Sequence, residues 1–231
     1  MGRESEHSRH PLNPAALALA AQHADIMKKI PTIFVRDMSR QPALVTPVWN
    51  ERCDWVRDGE GIATRKYDGT CCMIRDGKLY KRRELKAGQT APVDFESADF
   101  DWETGKTVGW VPVGDGPDDK YHREAFQEAW LPDSTYELLG PKIQGGAEHR
   151  TKAVLQDHRF AISYPSAPRT FEGIRQFLID HEIEGLVWHH DDGRMAKIKR
   201  RDFGCLVSEA GSGSDAFALA CRAVADERNH V

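Results

Sequence analysis

The sequence has little of what a membrane protein or a disulfide-stapled secreted domain needs. No apolar run approaches the roughly 20 residues that a membrane-spanning helix requires. Residues 1–10 are polar, mixed in charge and without the apolar core of a signal peptide. Five cysteines form no C-x-x-C pair and leave an odd count. These absences disfavour a structural zinc site and a disulfide scaffold, so we expect reduced thiols, a cytoplasmic location and no membrane association.

Length and charge leave a soluble protein with locally concentrated positive charge. The chain has 231 residues, enough for one large domain or two small ones, and its formal net charge of −4 argues against a uniformly basic nucleic-acid coat. Its cations fall into two clusters, and each is either a solvated strand face or part of a phosphate-binding cleft. The clusters comprise Lys78, Lys81, Arg82, Arg83 and Lys86, and Arg194, Lys197, Lys199, Arg200 and Arg201.

The most informative stretch runs from Lys66 through Asp68 and Gly69 to Cys71. In this K-x-D-G pattern a lysine lies two residues before an Asp-Gly turn, at the start of a predicted β-hairpin. Such a turn can present one amine to the α-phosphate of a nucleotide. Four residues of pattern recur by chance in many chains, so the interpretation depends on charged residues later in the chain.

Later segments supply matching charges in a fixed order. Glu137 lies on a predicted strand at 134–139, and Glu184 directly precedes another at 185–189. Lys197 and Lys199 lie on a third, at 195–199. Singly, Glu137 could be an exposed carboxylate and the two lysines a solvated strand face. A lysine, two acids and a Lys-x-Lys pair, each on a plausible strand or turn, favour chemistry over these plain interpretations.

The patterning predicts a mixed chain of short strands with few helices. Helices are predicted over 14–29, over 119–130, after a Thr170 cap, and from Ser214 to about Arg228. A tight turn at Asp76-Gly77 is predicted to join strands at 70–74 and 78–85. Residues 49–61 are predicted to be a loop with a hairpin at Asp58-Gly59, and 87–120 a long loop that serves as a lid, a strand-binding segment or an ordered insertion. We divide the chain into a lead-in at 1–40, a core at 41–205 and a C-terminal helix at 206–231.

A lysine is a nucleophile only when it is deprotonated, and its ordinary pKa is about 10.4. Partial burial and nearby cations lower that pKa, and we expect Lys197, Lys199 and a bound Mg²⁺ to act on Lys66 in this way. Carboxylates are needed to hold the metal and to accept hydrogen bonds from ribose hydroxyls. Glu184 and Glu137 are the candidates.

Together these motifs resemble those of the covalent nucleotidyltransferases, the polynucleotide ligases and mRNA capping enzymes. The stretch from Lys66 to Cys72 is more similar to the small ATP-dependent RNA ligases of the vertebrate 5′–3′ RNA ligase type. The resemblance covers about residues 40 to 205. It implies an α+β nucleotidyltransferase (ATP-grasp-like ligase adenylation) domain with antiparallel β-sheets flanked by helices.

The resemblance also implies a role for each matching residue. Lys66 would take AMP from ATP as a phosphoramidate and pass it to the 5′-phosphate of an RNA end, which a 3′-hydroxyl then attacks. Asp68 and Gly69 would shape the turn, and Glu184 would hold Mg²⁺ or Mn²⁺. The remaining nucleotide contacts would be Arg65 beside the adenine, Arg82 or Arg83 on a phosphate, Glu137 on the ribose, and Lys197 and Lys199 on the phosphates.

Two departures from the family pattern qualify this assignment. Many ligases carry Arg or Asn five residues after the lysine, where this chain has Cys71. About 30 residues follow Lys199, too few for the appended oligonucleotide-binding barrel of DNA ligases and capping enzymes, so we expect no OB-fold domain. We therefore predict a monomeric RNA-repair ligase that joins 5′-phosphate and 3′-hydroxyl RNA ends. The alternatives are an adenylyltransferase with a protein or small-molecule acceptor, and a non-catalytic nucleic-acid-binding domain.

Overall fold

The computed structural model describes residues 28–102, 104–127 and 131–205. These residues divide into two compact units. Unit 1 comprises residues 28–30, Tyr67–Ser163 and Asp191–Arg194, and unit 2 comprises Pro31–Lys66, Tyr164–His190 and residues 195–205. The predicted C-terminal helix, and the predicted helix over 14–29 except its last two residues, lie outside the described residues.

The architecture is mixed, with antiparallel sheets and few helices in the described residues, which confirms that part of the predicted fold class. The elements in chain order are β1 (Phe34–Asp37), β2 (Leu44–Trp49), α1 (Asp54–Arg57), β3 (Ile62–Lys66), β4 (Thr70–Arg75), β5 (Lys78–Leu85), β6 (Glu96–Asp101), β7 (Lys106–Pro112), α2 (Lys120–Gln127), β8 (Ser134–Leu139), β9 (Val154–Asp157), β10 (Ser163–Tyr164), α3 (Phe171–Asp180), β11 (Gly185–His189) and β12 (Met195–Lys199). Among these, no helix has both the length and the apolar character needed to cross a bilayer.

Unit 1 is built on a six-stranded sheet in the order β6-β7-β5-β4-β8-β9, in which every neighbouring pair is antiparallel. Its β4–β5 hairpin turns at Asp76 and Gly77, whose φ angles of 52° and 67° suit a two-residue turn. The predicted hairpin is therefore confirmed.

The two faces of this sheet bury different side chains, because successive residues of a strand point to opposite sides. Cys72 and Ile74 pack on one face with α2, Tyr136 and Leu138. On the other face, Met73 packs with Tyr80 and Trp110. We call the first of these the helix-covered face and the second the Met73 face.

Unit 2 contains the antiparallel strands β3-β11-β12 and a separate β1–β2 hairpin. Leu186, Trp188 and Ile198 are fully buried in its core. Helix α3 packs there through Ile174 and Leu178 and is capped by Thr170, whose side chain accepts a hydrogen bond from the Gly173 amide at 3.2 Å. The predicted cap is confirmed.

One loop prediction was wrong, and a second segment predicted as a loop contains two strands. In place of a hairpin at Asp58-Gly59 the chain forms a 3₁₀ turn over Glu51–Cys53 and the short helix α1, because Asn50 caps the turn and Trp55 is buried. Within 87–120, where a long loop was predicted, Glu96–Asp101 and Lys106–Pro112 form β6 and β7, which agrees with the ordered alternative for this segment. Strand β6 is mostly polar and β7 carries a central glycine, so neither shows a clean apolar alternation.

Candidate active site

Three strands of unit 2 align two of the predicted lysines. In the β3–β11 ladder Lys66 is opposite Gly185, and in the β11–β12 ladder Gly185 is opposite Lys199. The two lysines therefore lie one strand apart on either side of a glycine, at the same level of the sheet. Glu184 immediately precedes that glycine.

Gly185 is needed because β12 approaches it closely. A Cβ atom at this position would lie 2.1 Å from the Ile198 carbonyl oxygen and 3.0 Å from the Lys199 Cα. No side chain fits at the first of these distances without a backbone shift. The glycine thus permits the strand spacing that brings Lys199 beside Glu184.

The Glu184 carboxylate bridges the two lysines. Lys66 Nζ donates to Oε2 and Lys199 Nζ donates to Oε1, each at 2.6 Å. The Glu184 side chain is only 7% exposed, while those of Lys66 and Lys199 are 20% and 16% exposed. Its carbonyl also accepts from the Arg200 amide at 2.7 Å, which fixes the backbone. The cluster carries one net positive charge in a partly desolvated place, where an anion is attracted more strongly than in water.

Lys197 and Arg65 lie on opposite faces of the same sheet. Alternation puts Lys197 on the face of Lys66 and Lys199, whereas Arg65 is opposite the buried Leu186 on the core face. Lys197 therefore shares the face of Lys66, and Arg65 does not. Arg65 as part of an adenine pocket stays a prediction.

In unit 1, the turn after Lys66 is held by the loop over 140–150. The Asp68 amide donates to Glu148 Oε1 at 2.9 Å, and Gln144 Nε2 donates to the Gly69 carbonyl at 3.3 Å. At Gly69 a Cβ would lie 2.4 Å from the Leu138 carbonyl oxygen and 2.7 Å from the Glu137 Cγ. Glycine is therefore required by the close approach of β8.

Glu137 is buried on β8 and paired with a histidine. It is 8% exposed, and its Oε2 lies 3.0 Å from His158 Nε2. The other ring nitrogen, Nδ1, lies 3.0 Å from the Thr135 hydroxyl. The alternative interpretation of Glu137 as an exposed strand carboxylate is excluded by this burial.

The sheet register separates the two arginines of β5. Met73 is opposite both Tyr80 and Thr135, so alternation puts Arg82 on the Met73 face, which also carries Glu137. Arg83 lies on the helix-covered face and is exposed. Of the two, Arg82 is the one that shares a face with the predicted ribose-binding residue.

The neighbouring thiol does not compete as a nucleophile. Cys72 is fully buried on β4, and burial raises the pKa of its thiol well above the usual range. A buried thiol kept protonated is unreactive, because the thiolate is the nucleophile. The lysine amine is therefore the stronger candidate in this motif.

The donor set suits a metal bound mainly through phosphates. Within the described residues no group of three or more His, Cys, Asp or Glu side chains is arranged to hold a metal ion. Mg²⁺ is commonly bound by one or two carboxylates together with substrate phosphates. Glu184 fits that pattern, since a carboxylate has lone pairs beyond those its two lysines use.

Comparison with known proteins identifies distant relatives. No family model matches the chain. It is 25% identical to RNA ligase 1 of Mus musculus, 24% to that of Rattus norvegicus and 23% to that of Pongo abelii, over alignments covering 78% of this chain and 81% of each relative. The chain is a distant relative of RNA ligase 1. The predicted resemblance to the RNA ligases is confirmed at that level.

Sequence reasoning missed His158, Glu148 and Gln144. His158 belongs to no motif, and Glu148 and Gln144 lie in a segment predicted only as a loop with glycines and basic residues. His158 comes directly after a strand that pairs with β8, so a correct pairing of β8 with β9 would have brought it beside Thr135. No local pattern reveals that pairing.

Proposed function

We propose that this protein is an ATP-dependent RNA ligase with a nucleotidyltransferase fold, and that Lys66 is its nucleophile. The observation that carries the proposal is the Lys66–Glu184–Lys199 cluster, in which one buried carboxylate holds two ammonium groups within hydrogen-bond distance. Two cations flanking one carboxylate suit a site that receives a polyphosphate and also holds a divalent ion. The distant relationship to RNA ligase 1 supports RNA as the substrate.

The reaction proceeds in three displacements. In the first, the deprotonated Lys66 amine attacks the α-phosphorus of ATP; a P–N bond forms, the P–O bond to the β-phosphate breaks, pyrophosphate leaves and the nitrogen loses a proton. In the second, an RNA 5′-phosphate oxygen attacks the same phosphorus, the P–N bond breaks, and the lysine nitrogen regains a proton as it leaves. In the third, a 3′-hydroxyl oxygen attacks the 5′-phosphate phosphorus of the RNA-adenylate and loses its proton; a new P–O ester bond forms, the pyrophosphate P–O bond to AMP breaks, and AMP leaves.

The Lys66–Glu184 pair sets the condition for the first step. Lys66 is a nucleophile only after it loses a proton, so its ion pair with Glu184 must give way when ATP binds. Lys199, and Lys197 on the same face, then face the phosphates and stabilise the negative charge that develops on them. A bound Mg²⁺ or Mn²⁺, with Glu184 among its ligands, would neutralise further charge on the polyphosphate.

On the family resemblance, the turn and β8 would supply the contacts to the nucleoside. Asp68 and Gly69 set the path of the chain after Lys66, and Glu137 would accept hydrogen bonds from the ribose. Arg82, on the face of Glu137, is proposed to contact a phosphate in preference to Arg83. Arg65 is retained as a proposed adenine neighbour on the family resemblance alone.

The deciding experiment is incubation with α-labelled ATP and Mg²⁺, followed by denaturing electrophoresis and a chase with RNA. We expect an acid-labile labelled protein that RNA with a 5′-phosphate and a 3′-hydroxyl discharges into joined product. The matched control is the same RNA with a 5′-hydroxyl, which cannot accept AMP and must leave the label in place.

Each other outcome identifies a different protein. A labelled band that neither RNA discharges would favour an adenylyltransferase with a protein or small-molecule acceptor. A band that persists in Lys66→Ala would put the nucleophile elsewhere. No band in the wild type would leave a non-catalytic nucleic-acid-binding domain as the better account.

A further inference from the structure

His158 contacts the buried Glu137 carboxylate of unit 1. Its imidazole bridges Thr135 and Glu137, with both nitrogen–oxygen distances at 3.0 Å. Thr135 and Glu137 are two residues apart on β8 and therefore share one face of the strand. A single ring thus holds two successive side chains of that face.

The local backbone fixes this ring. Asp157, the last residue of β9, is opposite Tyr136 in the ladder, so the next residue comes level with Thr135. Asp157 also caps a 3₁₀ turn over His158–Phe160 by accepting from the Arg159 amide at 2.9 Å, and it pairs with the Arg159 guanidinium at 2.6 Å. The turn that carries His158 is thus anchored on both its backbone and its side chains.

This contact decides how the Glu137 carboxylate is oriented. His158 engages Oε2, which leaves Oε1 with both of its lone pairs to accept from a ribose hydroxyl. A carboxylate held in one rotamer accepts a hydroxyl without first losing its own conformational freedom. Released from the ring, Glu137 would have to be ordered by the nucleotide itself.

We infer that His158 is a positioning residue that makes the enzyme selective for a ribonucleoside triphosphate by orienting Glu137 toward the sugar. The inference rests on the proposed function, since it takes Glu137 as the ribose acceptor. His158 itself touches no reacting atom. Its effect must therefore vanish when the substrate lacks the hydroxyl that Glu137 binds.

The test compares self-adenylylation rates at subsaturating ATP, 2′-deoxyATP and 3′-deoxyATP, all α-labelled. Three substitutions grade the contact: His158→Ala removes both ring bonds, His158→Asn keeps an amide only near the Nδ1 position, and His158→Gln keeps one near Nε2. We expect Ala and Asn to lose about 10-fold with ATP, the size of a hydrogen bond to a charged group. Gln should stay within about 3-fold of the wild-type rate, because it keeps a donor for Glu137.

Selectivity is the readout that a merely structural role would not change. With the deoxy analogue that lacks the recognised hydroxyl, His158→Ala should change the rate by less than about 2-fold, which is below the size of one hydrogen bond. In a Glu137→Ala background the same substitution should have no further effect with ATP, since the group it positions is gone. Thermal unfolding of every variant is measured alongside.

Two outcomes overturn the inference, and they differ from failure of the proposed function. An equal slowing of His158→Ala with ATP and with both deoxy analogues would make His158 a structural residue. An additive loss in the double variant would show that His158 does not act through Glu137. Absence of labelling in the wild type would instead defeat the proposed function, and this inference with it.

Discussion

Each of the two units shields one candidate site carboxylate from solvent, and the partners of those carboxylates differ. In unit 2, the Glu184 side chain is 7% exposed and accepts from two lysine ammonium groups. In unit 1, the Glu137 side chain is 11% exposed and pairs with an imidazole, itself bonded to a threonine hydroxyl. One carboxylate is thus held by two ammonium groups and the other by one imidazole ring.

This difference predicts a different role for each carboxylate. A buried carboxylate between two fixed cations suits a site where charge is exchanged, because the cations can turn to an entering phosphate. A carboxylate oriented by an imidazole suits recognition of a neutral hydroxyl, where direction matters more than charge. Substitutions in unit 2 should therefore affect the chemistry, and those in unit 1 should affect the choice of nucleotide.

The largest expected effect is that of Lys66. Lys66→Arg keeps a cation that can pair with Glu184 but has no amine that can be deprotonated near neutral pH. We expect labelling with α-labelled ATP to fall by more than about 1,000-fold in Lys66→Arg and in Lys66→Ala, as loss of a covalent nucleophile does. Lys66→Arg should unfold close to the wild-type temperature, whereas Lys66→Ala leaves Glu184 with one partner. Residual labelling of Lys66→Arg would contradict the assignment.

The charge on Glu184 gives the next effect. Glu184→Gln keeps the shape of the side chain, removes its charge and leaves two ammonium groups facing each other. We expect at least about 100-fold slower labelling and a loss of the rate increase across a Mg²⁺ titration. Glu137→Gln is the matched control in the other unit and should lose about 10-fold with an unchanged Mg²⁺ dependence. Equal Mg²⁺ dependence in both variants would remove the metal role from Glu184.

Two glycines test whether strand spacing sets each site. Gly185→Ala puts a methyl group 2.1 Å from the Ile198 carbonyl oxygen, and Gly69→Ala puts one 2.4 Å from the Leu138 carbonyl oxygen. Because both obstacles are backbone atoms, we expect each variant to lose roughly 1–3 kcal/mol of unfolding free energy. Gly116→Ala is the control, since its Cβ meets nothing within 4 Å. Denaturant unfolding of all three measures this, and a Gly185→Ala protein as stable as Gly116→Ala would contradict the geometry.

Features with a fixed spacing along the chain could be predicted from the sequence, whereas features that depend on strand pairing could not. Lys66, Glu184 and Lys199 could be found because they belong to motifs, and the Asp76-Gly77 turn because such a turn has its own residue preference. The His158–Glu137 contact depends on the β8–β9 register, which no local pattern contains. Strands β6 and β7 were missed because a polar strand and a central glycine resemble a loop. Which arginine of β5 shares a face with Glu137 also required the observed register.

The smallest expected effect is a loss of folding stability in alkaline solution, which differs between the two units. Burial raises the pKa of the Cys53 thiol in unit 2 from 9.0 to about 11, and that of the Tyr136 phenol in unit 1 from 10.0 to about 12. Both groups are neutral when protonated, so folding holds their protons more tightly. The stability they contribute is full below pH 9 for Cys53 and below pH 10 for Tyr136, and it is lost as the pH rises through the folded values.

At pH 10 we therefore expect the titration of Cys53 to have lowered the free energy of unfolding by about 1 kcal/mol, and that of Tyr136 by less than half as much. The measurement is the free energy of unfolding between about pH 8 and pH 10 for the wild type, Cys53→Ala and Tyr136→Phe, a range that spans the unfolded thiol pKa. Cys53→Ala should flatten this dependence and Tyr136→Phe should barely change it, although Phe also loses the hydrogen bond of the phenol to the Pro132 carbonyl at all pH values. Burial also raises the pKa of the Cys72 thiol in unit 1, and this adds the same pH dependence of stability to all three proteins. A slope unchanged in Cys53→Ala would show that the Cys53 thiol does not titrate differently in the folded and unfolded chains.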